Sequence, residues 1–192
     1  LYLQAVRGKP FLLFRDKQVR WFICIVIFFV IAVALPHQAN NDIGIGQAFR
    51  ESAFNVISIM TGTGFSSANY ATWGAFATGV FFFIMFIGGC AGSTTCSIKI
   101  FRYQVLYQTA KVQMKHLIRP HGIFIATFNG KPITDEVENS VMSFFFLFML
   151  TFAVLAGLLN FIGLDFLTAI SAAATAICNV GPALGEIIGP SG

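Results

Sequence analysis

Three apolar stretches dominate the pattern of the chain. Trp21 to Leu35 runs 15 residues without a charge and stops at Pro36. Ala75 to Cys96 carries no charge, and neither do the 24 residues from Ser140 to Gly163. A helix that crosses the hydrocarbon of a bilayer needs about 20 apolar residues, with a range of about 17 to 25. All three stretches are expected to be membrane spans, the first a short one helped by tilt and flanking anchors. Two shorter apolar runs, Ser52 to Met60 and Phe166 to Cys178, are too short to cross and suit re-entrant segments.

Between Ser52–Met60 and the second long run lies "MTGTGF", residues 60 to 65. Gly62 and Gly64 interrupt any helix there and permit a positive φ. Non-helical backbone at membrane depth is tolerated only when buried in protein or lining a watery cavity. Its carbonyls need partners, and a dehydrated cation is one such partner. A short helix aimed with its C-terminal end at the cavity adds a negative dipole end that favours a cation. The plain alternative is a glycine turn between two membrane helices, where Gly is frequent.

A shift of 117 residues lays the chain on itself. Phe49 falls on Phe166, Ser58 on Thr175, and Met60–Phe65 on Ile177–Pro182. The order of elements then recurs: span, outer link, short apolar helix, small-residue segment with a glycine. Weak internal symmetry of this kind is common in transporters and does not by itself name a function.

Composition agrees with a membrane protein. Of 192 residues 56% are hydrophobic and 10% charged, against about 25% charged in soluble domains. The chain begins at Leu1 and ends in a Gly/Pro-rich stretch, so it is read as an internal portion of a longer protein. Eleven of the twelve Lys and Arg residues lie in 1 to 20 and 99 to 131; Arg50 is the exception. The positive-inside rule puts those two stretches in the cytoplasm. Residues 36 to 74 must then start and finish outside, so the run Ser52 to Met60 dips in and returns, or lies on the surface. Residues 98 to 119 read as a basic helix, Asn129-Gly130 as a hairpin turn, and Asp135, Glu136 and Glu138 as the charged start of a helix.

Cys24, Cys90, Cys96 and Cys178 show no C-x-x-C spacing, and the three histidines lie in other segments, so they read as small buried hydrophobes. No nucleophile–base pair, metal cluster or phosphate loop is present, and an enzyme is not expected. A secondary transporter of another cation such as sodium, or of another substrate, built on broken helices, is the alternative reading. It is disfavoured because none of the three long runs holds an interior charge.

Three segments carry a family resemblance: "SIMTGTGF" with "YATWGAF", "FIGGCAGSTTCSIKIFR", and "ATAICNVGPALG". Together they resemble the TrkH/KtrB family of potassium-uptake proteins over essentially the whole chain. The resemblance implies an all-α membrane protein of repeated span–pore helix–span units, potassium-channel-like, with extended filter strands. Four such units in one chain would surround a single potassium path. It implies a cytoplasmic link at 1–20, the third unit at 21–119, a second cytoplasmic link at 120–139, and the fourth unit at 140–192, cut after its filter. Thr61, Gly62, Thr63 and Gly64 would be one filter segment and Cys178, Asn179, Val180 and Gly181 the other, binding potassium through carbonyls. Cys178 stands where Thr or Ser is more usual. Gly88, Gly89, Cys90, Ala91, Gly92, Ser93, Thr94 and Thr95 would form an intramembrane gating loop, against the alternative of a small-residue helix contact. Lys99 and Arg102 would open a basic cytoplasmic face. The implied partners are membrane lipid, a second copy in a homodimer and a nucleotide-binding gating ring; the implied place is the bacterial inner membrane. No cofactor is implied beyond potassium as transported ligand.

Overall fold

The computed structural model describes residues 16–184 and residue 189; the remainder of the 1–20 link and of the segment after Leu184 lies outside the described residues. Helix α1 spans Lys17–Asn41 and is capped by Asp16, whose carboxylate accepts from Gln18 N–H at 2.7 Å. Its 25 residues reach about 37 Å at 1.5 Å per residue, enough to cross the hydrocarbon. The helix does not stop at Pro36. A proline removes one ladder bond, but the turn beyond it is held from outside. His37 stacks on Trp73 at 3.6 Å between ring centroids, and its Nε2 lies 3.0 Å from Glu51 Oε2. Asn40 Nδ2 donates to the Trp73 carbonyl at 3.3 Å.

Helix α2, Ile45–Thr61, begins well before the apolar run that announces it. Its first turns carry Gln47, Arg50 and Glu51, polar residues that a purely apolar reading passes over but that disturb no helical bond. A short 3-10 turn, Tyr70–Trp73, leads to α3, Ala75–Ile84. Here the structure departs from an unbroken second span. Helix α3 has 10 residues, and 85–99 is irregular before α4, Ile100–Ile118. The break precedes the glycines, because the Phe86 carbonyl is taken by Ile98 N–H at 3.1 Å rather than by a following turn.

Beyond α4 a two-stranded hairpin, β1 (Thr127–Phe128) and β2 (Lys131–Pro132), turns through Asn129 at φ 50° and Gly130 at φ 79°. Both central residues at positive φ make the type I′ turn that an Asn-Gly pair favours. Helix α5, Asp135–Phe161, has its three acids in the first turn, where the dipole favours them. Helix α6, Phe166–Cys178, is capped by Asp165, which accepts from Thr168 N–H at 3.1 Å. The Thr168 side chain and N–H beside Asp165 hold its carboxyl below the usual carboxylate range.

Helices α1 and α5 are long and apolar enough to cross a membrane, and both expose apolar residues such as Phe28, Leu35, Phe146 and Leu158. The buried core lies elsewhere, at the junction of α1, α2, α3 and the end of α6. Val33, Val56, Met60, Phe81, Ile84, Ile98 and Cys178 meet there. A row of rings, Phe82, Phe86, Phe148 and Phe152, joins α3 to α5.

Candidate functional site

The two short helices end alike, and they end at each other. Gly62 follows α2 at φ 70°, ψ 24°; Asn179 follows α6 at φ 50°, ψ 51°. These two left-handed residues are 117 positions apart. The next N–H in each case reaches back to the same place: Thr63 N–H to Ser58 O at 2.9 Å, and Val180 N–H to Thr175 O at 3.2 Å. Each helix thus closes in a 6→1 bond and turns its chain sharply away. Two residues later come Gly64 at φ 78° and Gly181 at φ 112°. The two helix ends, 117 positions apart, thus share backbone dihedrals and hydrogen bonds.

Residues 61–64 and 178–181 pack backbone against backbone. A Cβ placed on Gly64 would lie 2.6 Å from the Val180 carbonyl oxygen. One on Gly181 would lie 3.1 Å from the Gly64 Cα, and one on Gly62 3.5 Å from the Asn179 carbonyl. No charged side chain occurs from 52 to 68 or from 166 to 184. The electrostatics are those of neutral carbonyls and of two helix C-termini, each bringing partial negative charge. The Thr61 and Thr63 hydroxyls pair at 2.6 Å, and Thr61 Oγ1 also donates to Ile57 O at 2.7 Å. Two of the eight carbonyls face protein hydroxyls: Cys178 O accepts from Ser97 Oγ at 3.4 Å, and Gly181 O from Thr175 Oγ1 at 3.0 Å.

The segment 88–97 is a loop, not a helix, and it sits against the end of α6. Besides the Ser97 bond, Cys96 Sγ lies 3.8 Å from Asn179 Nδ2. Its neck is closed by Gly88 N–H to Ile98 O at 2.9 Å and by Ile100 N–H to Gly89 O at 3.1 Å. Side chains at Gly88 and Gly89 would collide with Ser97 and Ser93 at 2.9 and 2.8 Å, so both glycines serve the close approach of the two arms. Inside, Thr95 Oγ1 accepts from Gly89 N–H at 2.9 Å and Ser93 Oγ donates to Cys90 O at 2.7 Å. Two outside groups fasten it. Lys99 Nζ donates to Ser93 O at 3.0 Å, and Gln18 Oε1 on α1 accepts from Ala91 N–H at 2.9 Å. Arg102 is not part of this fastening; its guanidinium lies over the Phe144 ring at 3.7 Å, tying α4 to α5.

Sequence reasoning passed over the side chains that reach the two segments from the helices. Asn55 Oδ1 accepts from Ser67 N–H at 3.1 Å, and Ser58 Oγ donates to Phe65 O at 2.5 Å. Ser171 Oγ accepts from Leu184 N–H at 3.1 Å and donates to Leu184 O at 2.7 Å; Thr175 Oγ1 does the same with Gly181 at 3.0 Å each. The signal available was the spacing: polar residues three or four apart, on one face of an otherwise apolar helix.

A family model described as cation transport protein, TrkH, matches residues 2–191. The chain is 41% identical over 192 residues to the Trk system potassium uptake protein TrkI of Halomonas elongata, covering 100% of this chain and 39% of that protein. It is 33% identical over 174 residues to the Trk system potassium uptake protein TrkH of Vibrio parahaemolyticus, covering 90% and 36%. The crystal structure of the potassium transporter TrkH from Vibrio parahaemolyticus superposes with a TM-score of 0.82 at 32% identity, covering 90% of this chain and 37% of that one. The chain spans under two fifths of the length of these relatives. On the family match and the shared helical fold, the chain belongs to the TrkH family of cation transport proteins.

Proposed function

We propose that this chain forms part of a potassium-uptake protein, and that residues 61–64 and 178–181 are two of its selectivity-filter segments. The observation that carries the reading is the convergence of α2 and α6, C-terminus to C-terminus, on two charge-free segments with matching left-handed turns. A potassium ion entering there exchanges water for carbonyl oxygens, and the helix ends lower the cost of that exchange. In this reading α1 with α2, α3 and α4 is the third span–pore helix–span unit, over 21–119. Helices α5 and α6 open the fourth, over 140–192.

The loop 88–95, which runs on into Cys96 and Ser97 against the second segment, serves as gate. Its polar fastenings to Lys99 and Gln18 can be broken one at a time, without exposing buried apolar surface. Residues 99–139 are cytoplasmic. Residues 113–118 of α4 are exposed, with Lys111 and Lys115 on the helix and Arg119 just past its end. That end offers a docking surface to a separate nucleotide-binding ring. Two copies of the full protein form a homodimer in the lipid of the bacterial inner membrane.

Flux decides the matter. The purified full-length protein in lipid vesicles should carry potassium down its gradient in preference to sodium. Equal flux of the two ions would remove the filter reading, and no flux of either would remove the uptake reading.

A further inference from the structure

Four polar side chains, Asn55, Ser58, Ser171 and Thr175, sit in apolar helices that also bury Ser52 and Thr168. Asn55 and Ser171 are fully buried, Ser58 nearly so, and Thr175 half-buried. A buried hydroxyl or amide costs free energy unless it is hydrogen-bonded. Ser and Thr in a helix commonly satisfy themselves on the carbonyl a turn back, and Thr61 and Thr151 do that here. These four also reach outward, although Asn55 Nδ2 keeps a bond to Glu51 O at 2.8 Å and Ser171 Oγ one to Thr168 O at 3.3 Å. All of them bond to backbone, or to Ser67, in the segment that follows their own helix.

The placement recurs approximately, with Asn55 and Ser171, and likewise Phe65 and Gly181, 116 residues apart. Ser58 and Thr175 are 117 residues apart, and so are Ser67 and Leu184, the far points of attachment. In the first copy the attachments are Ser58 to Phe65 and Asn55 to Ser67. In the second they are Thr175 to Gly181 and Ser171 to Leu184. Asn55 Nδ2 also donates to Ser67 Oγ at 3.1 Å. Each segment is thereby pinned twice, at its glycine end and again two or three residues on. The left-handed turn fixes where a segment begins, and the two side chains fix how far it stands from its helix.

We infer that Asn55, Ser58, Ser171 and Thr175 are positioning residues that set the spacing between the two segments, and that ion discrimination depends on them. The inference rests on the filter reading above. Carbonyls discriminate between cations of different size only if they cannot relax onto the smaller one. Backbone held by hydrogen bonds from a packed helix resists that collapse; backbone held at one end alone does not. Thr175 acts in a second way. Its hydroxyl takes the Gly181 carbonyl, so the outermost ligand of that segment is oriented by protein.

The test uses the full-length protein in vesicles, with rubidium, potassium and sodium flux measured for each variant, and with size-exclusion profile and melting temperature recorded beside them. Ser58→Ala and Thr175→Val remove the pins; Thr175→Ser keeps the hydroxyl. The potassium-to-sodium flux ratio should fall about fivefold per removed pin, the factor a typical net hydrogen bond is worth. Thr175→Ser should restore it. Asn55→Leu, which keeps the volume and drops both bonds to Ser67 along with the one to Glu51 O, should act in the same direction, and serves if Thr175→Val does not fold. An unchanged ratio in folded Ser58→Ala and Asn55→Leu proteins would overturn the inference, whatever happened to melting temperature. A wild-type protein that does not prefer potassium would instead overturn the filter reading beneath it.

Discussion

The carbonyl oxygen of Val180 lies 2.6 Å from where a Cβ on Gly64 would stand. Two segments separated by more than a hundred residues are thus in contact through backbone alone. Gly64 also has φ 78°, so a side chain there meets both a clash and an unfavourable dihedral. Gly92 gives the comparison: its φ is 88°, yet nothing lies within 4 Å of its would-be Cβ. Gly92→Ala should cost only the left-handed strain, roughly 1–2 kcal/mol, and leave uptake near wild type. Gly64→Val and Gly181→Val should abolish potassium-dependent growth of an uptake-deficient cell. Normal growth on Gly64→Val would show that the close approach is not needed for transport.

Sidedness is the second expectation. Single cysteines at Ile45 and Lys115, both exposed, should react with an impermeant thiol reagent from opposite faces. The background must lack the four free cysteines, Cys24, Cys90, Cys96 and Cys178. Labelling of both from one face would mean that α2 does not turn back on the outer side, and the paired segments would lose their place in a path.

The loop gives the third. Deleting Ala91–Thr94 removes the contacts to Gln18 and Lys99 but leaves the neck between Gly88 and Ile98. The loss is of polar contacts on a segment without regular structure, which opens at low cost. Potassium flux per molecule in vesicles should rise at unchanged melting temperature. Unchanged or lower flux in a folded protein would remove the gate and leave the filter reading intact.

Much of the helical layout was legible in the apolar pattern. Phe166–Cys178 is bounded as its run predicts, and the Asn129-Gly130 pair forms its turn because both residues accept positive φ. The misses have physical causes. Helix α1 passes Pro36 because His37, Trp73, Glu51 and Asn40 hold its last turn, contacts that join residues far apart in sequence. Helix α2 starts at Ile45 because backbone bonding does not require apolar side chains. Helix α3 ends at Ile84 although apolar residues continue, since hydropathy cannot see that Ile98 competes for the Phe86 carbonyl. The left-handed residue after α6 was hidden by its identity: Asn179 does there what Gly62 does after α2. The pins from Asn55 and Ser171 were passed over because their one signal, a second polar residue three or four positions on at Ser58 and Thr175, is faint within an apolar run.

If 61–64 and 178–181 are filter segments, a cation sits among their carbonyls. Thallium is a heavy substitute for potassium of similar size, and its anomalous scattering in crystals of the full-length protein locates it directly. Thallium density is expected between the two segments, weakened by excess potassium and left unchanged by the same excess of sodium. Density confined to other parts of the molecule, in crystals of a protein that still conducts, would contradict it.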